Sequence, residues 1–444
     1  MTRALQQAWA RTVRRYGDER AVVHAGDGTS VTFGELEARA TAWLAQQGNV
    51  DLRGRAVVFA RANSVAWWEI FLGLVCAGAV PVPLDAGEPL EAQRAIATEL
   101  RAGFWWDGAA LVALPRAKRW ATAVGLIKLT SGSTGRPKAL PFSDAQLLAD
   151  GRQVMRTMGI TRRDVNYALI PLGHSYGIGN LVVPLLAAGV PMVIGSAALP
   201  QAIAEDFTRW QPTVFPSVPM VWRALASSTV TLASLRLAIS AGAPLAPEVA
   251  REFAARYGRK LHNFYGSSET GGIAFDRTGA ATLAGGVGTA MRGVTLDVRP
   301  GQRLVVSSAA VITHGNRRRA SPPARGAWVM PDRACVDARG QVTLLGRRGR
   351  TVKIAGRRVN LDEVATRLKR VAGVRETWIA ANNDGVLGAA LAADANVSAA
   401  TVRAALHTDT AAWKIPRRVA VFAEFPRTLR GKIDTAALRA RVFG

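Results

Sequence analysis

Apolar and polar positions follow two different rhythms along this chain. From about Ala21 to Gly258, short apolar runs are mostly separated by stretches of helical periodicity. The runs Ala56–Ala60, Val80–Pro83, Leu126–Leu129, Tyr167–Pro171, Val190–Gly195, Thr213–Ser217 and Leu235–Ser240 read as buried strands. Such alternation predicts a largely parallel sheet covered by helices. From Gly285 to Leu345 the runs become short, alternating and punctuated by glycine. Val294–Arg299, Arg303–Ser307, Ala334–Asp337 and Val342–Leu345 then predict a small β-rich subdomain.

A second change comes at Gly346-Arg347-Arg348-Gly349-Arg350, a basic, glycine-containing break. Beyond it lie a strand-turn segment, Thr351–Asn360, a helix, Leu361–Arg370, and Ala-rich α+β sequence. The expected fold class is therefore α/β. A large N-terminal domain (residues 1–346) carries helix-covered, mostly parallel sheets and the β-rich subdomain. A hinge (347–350) leads to a small, mobile α+β C-terminal domain (351–444). The most apolar stretch, Val65 to Leu84, carries Glu69, Pro81 and Pro83, and reads as a buried helix followed by a strand, with no membrane span.

Composition narrows the class. The chain is 444 residues long, 49% hydrophobic and has 43 glycines, which fits a multidomain α/β enzyme. Cys76 and Cys335 are too few for a disulfide framework or a cysteine metal site. Met1–Asp18 is polar and charged, without the apolar core of a secretory leader, so a reducing cytoplasm is the expected compartment. The net charge of +25 comes from 57 basic residues, only eight of them lysine. The arginines are dispersed, and Arg317–Arg319 forms the longest run. Without interleaved stacking aromatics, a nucleic-acid partner is not expected. An anionic small molecule or an acidic protein is the better use of that field.

Candidate chemistry begins at Leu129-Thr130-Ser131-Gly132-Ser133-Thr134-Gly135-Arg136-Pro137-Lys138. Gly132 and Gly135 let successive amides point into one concavity. The hydroxyls of Thr130, Ser131, Ser133 and Thr134 add donors, and Lys138 adds charge. This is the chemistry of a phosphate cradle, without the spacing of a Walker loop. A second element, Asn263-Phe264-Tyr265-Gly266-Ser267-Ser268-Glu269-Thr270-Gly271-Gly272, reads as a loop. Tyr265 offers a flat face to a base, Ser268 a donor to a phosphate oxygen, and Glu269 a hard oxygen for Mg²⁺.

Together the two elements resemble the adenylate-forming superfamily of acyl-CoA synthetases, luciferases and peptide-synthetase adenylation domains, over nearly the whole chain. The family motifs [ST]-S-G-[ST]-T-G-x-P-K and N-x-Y-G-x-T-E are intact, except that Ser268 replaces threonine. Ala77–Asp85 is similar to the family's A-G-x-x-x-V-P-L strand entry. Ser240–Leu245, with Gly242, Ala243 and Pro244, resembles its adenine-side loop. Seven residues separate Asp332 from Gly340 and five more precede Gly346-Arg347, matching T-G-D-x₇-G-x₅-G-R with Met330-Pro331 in place of Thr-Gly. The resemblance implies that Asp332 and Arg347 hold the ribose; a carboxylate can accept from both ribose hydroxyls at once.

In the C-terminal part, Val352–Val359 resembles I-K-x-x-G-x-R-[IV], which implies a thioester-step role for Lys353. Phe425–Asp434 resembles P-R-T-x-x-G-K-I-[DN], which implies that Lys432 bridges the substrate carboxylate and the α-phosphate. The family hinge falls on Gly349, which keeps freedom of φ and ψ but not the usual charge. Thr134 and Glu269 are the implied Mg²⁺ ligands. Pro171-Leu172-Gly173-His174-Ser175-Tyr176-Gly177 resembles the acid loop of acyl- and aryl-CoA ligases, with His174 either at the site or packed in the loop. No carboxylate stands where amino-acid-activating domains carry one, so an α-amino acid is disfavoured. Val214, Val218, Ala241, Gly242, Gly271 and Gly272 would give an apolar lining.

The implied activity is that of an AMP-forming acid–thiol ligase. ATP, with Mg²⁺, converts a hydrophobic aliphatic or aryl carboxylic acid into its acyl-adenylate, and coenzyme A takes the acyl group as a thioester. Two alternatives stay open: transfer to the phosphopantetheine of an acidic acyl carrier protein, or a non-catalytic nucleotide- and acyl-binding module. A luciferase-like oxidative branch is also open. The intervals from Asp85 to the phosphate loop and from Glu269 to Asp332 are shorter than the family's, and oligomeric state is left open.

Overall fold

The computed structural model describes residues 3–131, 137–313, 326–347, 351–354, 357–382, 386–407, 410, 414–428 and 431–444. It is a mixed α/β structure in two compact units. One comprises Met1–Met330 and Ala334–Leu344; the other comprises Pro331–Arg333 and Leu345–Gly444.

The first unit is built on a mostly parallel sheet. Among the described residues its strands run in the order Thr289–Ala290, Gly271–Phe275, Leu261–Ser267, Leu237–Ser240, Val214–Ser217, Asn166–Ala168, Met192–Ile194, Arg20–His24 and Ser30–Thr32. The central pairings are parallel, and antiparallel strands close both edges. Central strands buried on both faces explain the near-continuous apolar runs of the sequence. A second sheet runs Val80–Leu84, Ala56–Ala60, Phe104–Trp106, Leu111–Ala113, parallel except at its last strand.

The apolar stretch from Val65 is a helix, Val65–Cys76, followed by the strand Val80–Leu84, as expected. Ser64 caps that helix by accepting from the Trp67 amide. Its whole surface is apolar because Trp67, Trp68, Ile70, Phe71 and Leu74 are all buried. Helix Asp144–Met158 starts at a reciprocal cap, in which Ser143 Oγ and the Gln146 side chain each satisfy the other's backbone amide. No described helix is long and apolar enough to cross a membrane.

Two expectations are corrected. The run Leu126–Leu129 does not join a parallel sheet. It lies within Val124–Ser131, which pairs antiparallel with Pro137–Ser143. The glycine-hydroxyl segment is therefore the tip of a β-hairpin. The second motif is also not a free loop, because Asn263 through Ser267 belong to strand Leu261–Ser267.

In the second unit, the hairpin Thr351–Ile354/Arg357–Asn360 precedes helix Leu361–Leu368. A three-stranded sheet follows, Val374–Ala381, Leu387–Ala393 and Arg418–Phe422. Val364, Leu368, Ile379, Leu391 and Val402 share its core.

Candidate active site

Strand ends and turns of the first unit carry most of the candidate residues. Thr130 stands opposite Lys138 across the hairpin, and Ser131 opposite Pro137. The Lys138 ammonium is 5.6 Å from the centroid of Trp328, on an exposed side chain. Gly132, Ser133, Thr134 and Gly135 lie outside the described residues.

The parallel strands Val214–Ser217, Leu237–Ser240 and Leu261–Ser267 all run toward the same edge, with Ser217 level with Ser240 and Ser240 level with Asn263. Ligands of parallel α/β sheets collect beyond such carboxyl ends. Gly242 follows the second strand at φ +86°, and only Val218 Cγ1 lies near, 3.7 Å from where a Cβ would stand. Conformation, not space, is what calls for glycine there. Ala243 and Pro244 are exposed beside it.

Asn263 is buried and its side chain is engaged structurally. Its Nδ2 donates to the Gly286 carbonyl at 2.8 Å, and its amide N donates to Thr282 Oγ1 at 2.8 Å. Tyr265 is half-buried on the same strand, next to a register shift at Gly266. Ser268 and Glu269 form the turn into strand Gly271–Phe275. The Glu269 amide donates to Ser267 Oγ, and its carbonyl accepts from the Ile312 amide at 2.9 Å. The turn is thus fixed by its backbone, which leaves the half-buried carboxylate to be aimed by it.

The acid loop is joined to this turn. Ser175 Oγ donates to Ser268 Oγ at 2.9 Å. His174 Nε2 is 3.4 Å from Asp85 Oδ2, at the end of strand Val80–Leu84. Asn63 grips the same loop twice. Its Nδ2 donates to the Ile170 carbonyl and its Oδ1 accepts from the Leu172 amide, both at 2.9 Å. Tyr176 packs against Phe264, its hydroxyl near the carbonyls of Ser217 and Ile239. Burial pushes that hydroxyl well above the ordinary tyrosine range, so it stays neutral.

Two charges behind these walls escaped the sequence reading. Lys128 and Asp150 are both buried, and burial lowers the lysine and raises the aspartate from their usual ranges. The only signal was a lysine inside an otherwise apolar strand run.

The second unit holds the remaining candidates. Asp332 is half-buried on strand Ala327–Val336. Arg347 ends strand Val342–Arg347, and Lys353 is level with Arg358 in its hairpin; these two side chains lie outside the described residues. The hinge candidate Gly349 lies outside them too. Lys432 closes a tight turn in which its carbonyl accepts from the Thr428 amide at 2.8 Å.

Comparison with known proteins adds the following. The family model described as AMP-binding enzyme matches residues 9–105 and 106–306. A 2-hydroxy-7-methoxy-5-methyl-1-naphthoate–CoA ligase of Streptomyces carzinostaticus is 29% identical over 75% of this chain and 65% of its own length. A 4-hydroxybenzoate–CoA/benzoate–CoA ligase of Rhodopseudomonas palustris is 26% identical over 71% of this chain and 64% of its own. The match therefore spans just under two thirds of either relative. Among solved structures, ATP-bound MatB from Rhodopseudomonas palustris aligns with a TM-score of 0.81 at 24% identity, over 98% of both chains. Klebsiella oxytoca NpsA in complex with 3-hydroxyanthranilyl-AMSN aligns with a TM-score of 0.82 at 20% identity, over the full length of both. At these identities the structures speak for the fold.

Proposed function

Because the chain belongs to the AMP-binding enzyme family, we propose that it is an AMP-forming acid–thiol ligase. It activates an aryl or other hydrophobic carboxylic acid with ATP and passes the acyl group to coenzyme A. The observation that carries this reading is the joining of the acid loop to the adenylate turn through Ser175 and Ser268, 2.9 Å apart. An acid held by the first and a nucleotide held by the second would share one edge of the sheet.

The first step is attack of the substrate carboxylate on the α-phosphorus of ATP, with pyrophosphate leaving. The hairpin-tip segment with Lys138 is suited to the outgoing phosphates, and Lys432 to the charge gathering between carboxylate and α-phosphate. Tyr265 would stack on adenine beside Gly242, Ala243 and Pro244, and Asp332 with Arg347 would take the ribose. The lone, half-buried Glu269 carboxylate fits a Mg²⁺ that arrives with the nucleotide, since that ion commonly takes one or two carboxylates plus substrate phosphates. When bound, it spreads phosphate charge; Thr134 is its second proposed ligand. In the second step a thiolate attacks the mixed anhydride and AMP leaves, with Lys353 assigned to this stage.

Residues 1–346 act as the adenylation domain, 347–350 as the hinge and 351–444 as the lid. The relatives that take hydroxylated naphthoate and benzoate favour an aryl acid here. The test is incubation with ATP, Mg²⁺ and a panel of aryl, aliphatic and amino acids, read by mass spectrometry for acyl-AMP. Formation from aryl acids is expected; activity confined to amino acids overturns the reading. Single-turnover transfer from preformed acyl-adenylate to coenzyme A, in competition with a holo carrier protein, decides the acceptor. ATP binding without turnover on any acid favours the non-catalytic module.

A further inference from the structure

Lys128 stands on strand Val124–Ser131, two residues before Thr130, and is 2% exposed. Its ammonium lies 4.3 Å from the Phe142 ring centroid and interacts with the carboxylates of Asp150 and Glu269. Asp150 comes from helix Asp144–Met158 and is 5% exposed. Its Oδ1 accepts from the Gly272 amide at 3.0 Å. A Cβ placed on Gly271 would fall 2.2 Å from that oxygen, and one placed on Gly179 would fall 2.7 Å from Oδ2. Gly271 also sits at φ +70°. The carboxylate is therefore wedged between the helical turn Ile178–Val182, which continues the acid loop, and the strand that follows Glu269.

We propose that Lys128 and Asp150 form a buried ionic strut that sets the separation of the two walls of the acid pocket. They are positioning residues, and the proposal rests on the acid-ligase reading for the pocket's identity. A buried carboxylate without a counter-charge is strongly disfavoured, and so is a buried lone ammonium. Each charge therefore holds the other in place. The three glycines on the far side are what the seated carboxylate requires, since any side chain there would displace it. A hydrophobic pair would fill the same volume, but it would not bind the Gly272 amide and so would leave the second wall untethered.

The test is a double-mutant cycle with Lys128→Met, Asp150→Asn and the pair combined, on the full chain. Hydrogen–deuterium exchange is read on peptides covering residues 178–182 and 268–275. Each single change leaves a lone buried charge or an orphaned partner. Each is expected to speed exchange in both segments about tenfold and to lower the melting temperature by roughly 5 °C. The double variant, neutral and nearly isosteric, is expected to recover at least half of both effects. In pyrophosphate exchange with benzoate, the single variants are expected to raise KM for the acid about tenfold with KM for ATP within about twofold.

Additive losses across the cycle would show that the charges do not act as a pair. A response in one segment alone, or equal movement of the acid and ATP constants, would show that the pair stabilises the core without setting the pocket. A parent without exchange activity on any acid sinks the ligase reading instead, and the exchange and melting cycle still decides whether the strut exists.

Discussion

Replacing Asn63 by alanine removes a side chain that holds the acid loop to the neighbouring sheet. Two hydrogen bonds of 2.9 Å are lost at once, one to the Ile170 carbonyl and one from the amide of the fully buried Leu172. An orphaned buried amide or carbonyl costs about 1–3 kcal/mol, and the half-buried setting places this pair near the low end, so about 2 kcal/mol in total. In a unit of this size that is roughly 4 °C of melting temperature. The same loop carries His174 and Ser175, so a loosened loop is also expected to raise KM for the acid about fivefold, with kcat for adenylation nearly unchanged. Asn63→Asp provides an internal control. Its carboxylate still accepts from Leu172 but opposes the Ile170 carbonyl with a second oxygen, so its folded-state pKa is raised. Stability gained from that group when protonated is lost as pH rises through the carboxylate range, and the variant is expected to match wild type most closely at about pH 4. Thermal melting over pH 4–8 and pyrophosphate exchange read both arms. Melting within 1 °C of wild type for Asn63→Ala, with an unchanged acid KM, would refute the clamp.

Three further outcomes follow from the geometry. Lys432→Ala is expected to cut acyl-adenylate formation by about 10²–10³-fold while leaving melting temperature unchanged, because only a transition-state charge partner is removed; near-normal mass-spectrometric yield of acyl-AMP would contradict its assignment. Gly242→Ala meets no obstructing atom but forces a side chain onto φ +86°, at a cost of about 1–2 kcal/mol, and a rise in KM for ATP of about tenfold is expected in the exchange assay. An unchanged ATP constant would remove that loop from the adenine site. His262 is stacked on Phe275 with Nδ1 2.7 Å from the Asp276 carbonyl, and burial holds its pKa below the ordinary 6.5. The unfolded chain then binds the proton more readily, so stability is full above that value and falls as pH drops below it. His262→Gln is expected to flatten chemical-denaturation stability between about pH 6.5 and 5, and an equal slope in both proteins would count against the assignment.

The parallel sheet was legible because its central strands are covered on both sides and read as unbroken apolar runs. The same signal misled at Leu126–Leu129. An apolar run carries no sign of its partner's direction, and the partner strand Pro137–Ser143 contains prolines at 137 and 141 that lack amides for a ladder. Asn63 was invisible for another reason. A polar residue just before a helix cap resembles any turn residue, and its partners lie 107 and 109 positions away. Lys128 gave a faint signal as a charge inside a strand run, whereas Asp150 looked like one more polar residue on an amphipathic helix.

The nucleotide and acid motifs were readable for a structural reason that also explains what stayed hidden. Val214–Ser217, Leu237–Ser240 and Leu261–Ser267 are parallel neighbours, so each sends its next few residues to the same edge of the sheet. Chemistry placed there must be written in short contiguous segments directly after apolar runs, which is where Val218, Gly242–Pro244 and Ser268–Glu269 occur. Support from behind obeys no such constraint. Asp150 reaches Gly272 from a helix 122 positions earlier, through a space that Gly179 and Gly271 leave open by having no side chains. In this chain a Glu-Thr-Gly-Gly segment therefore has two meanings at once: the acid faces the site, and the glycines receive the carboxylate that braces it.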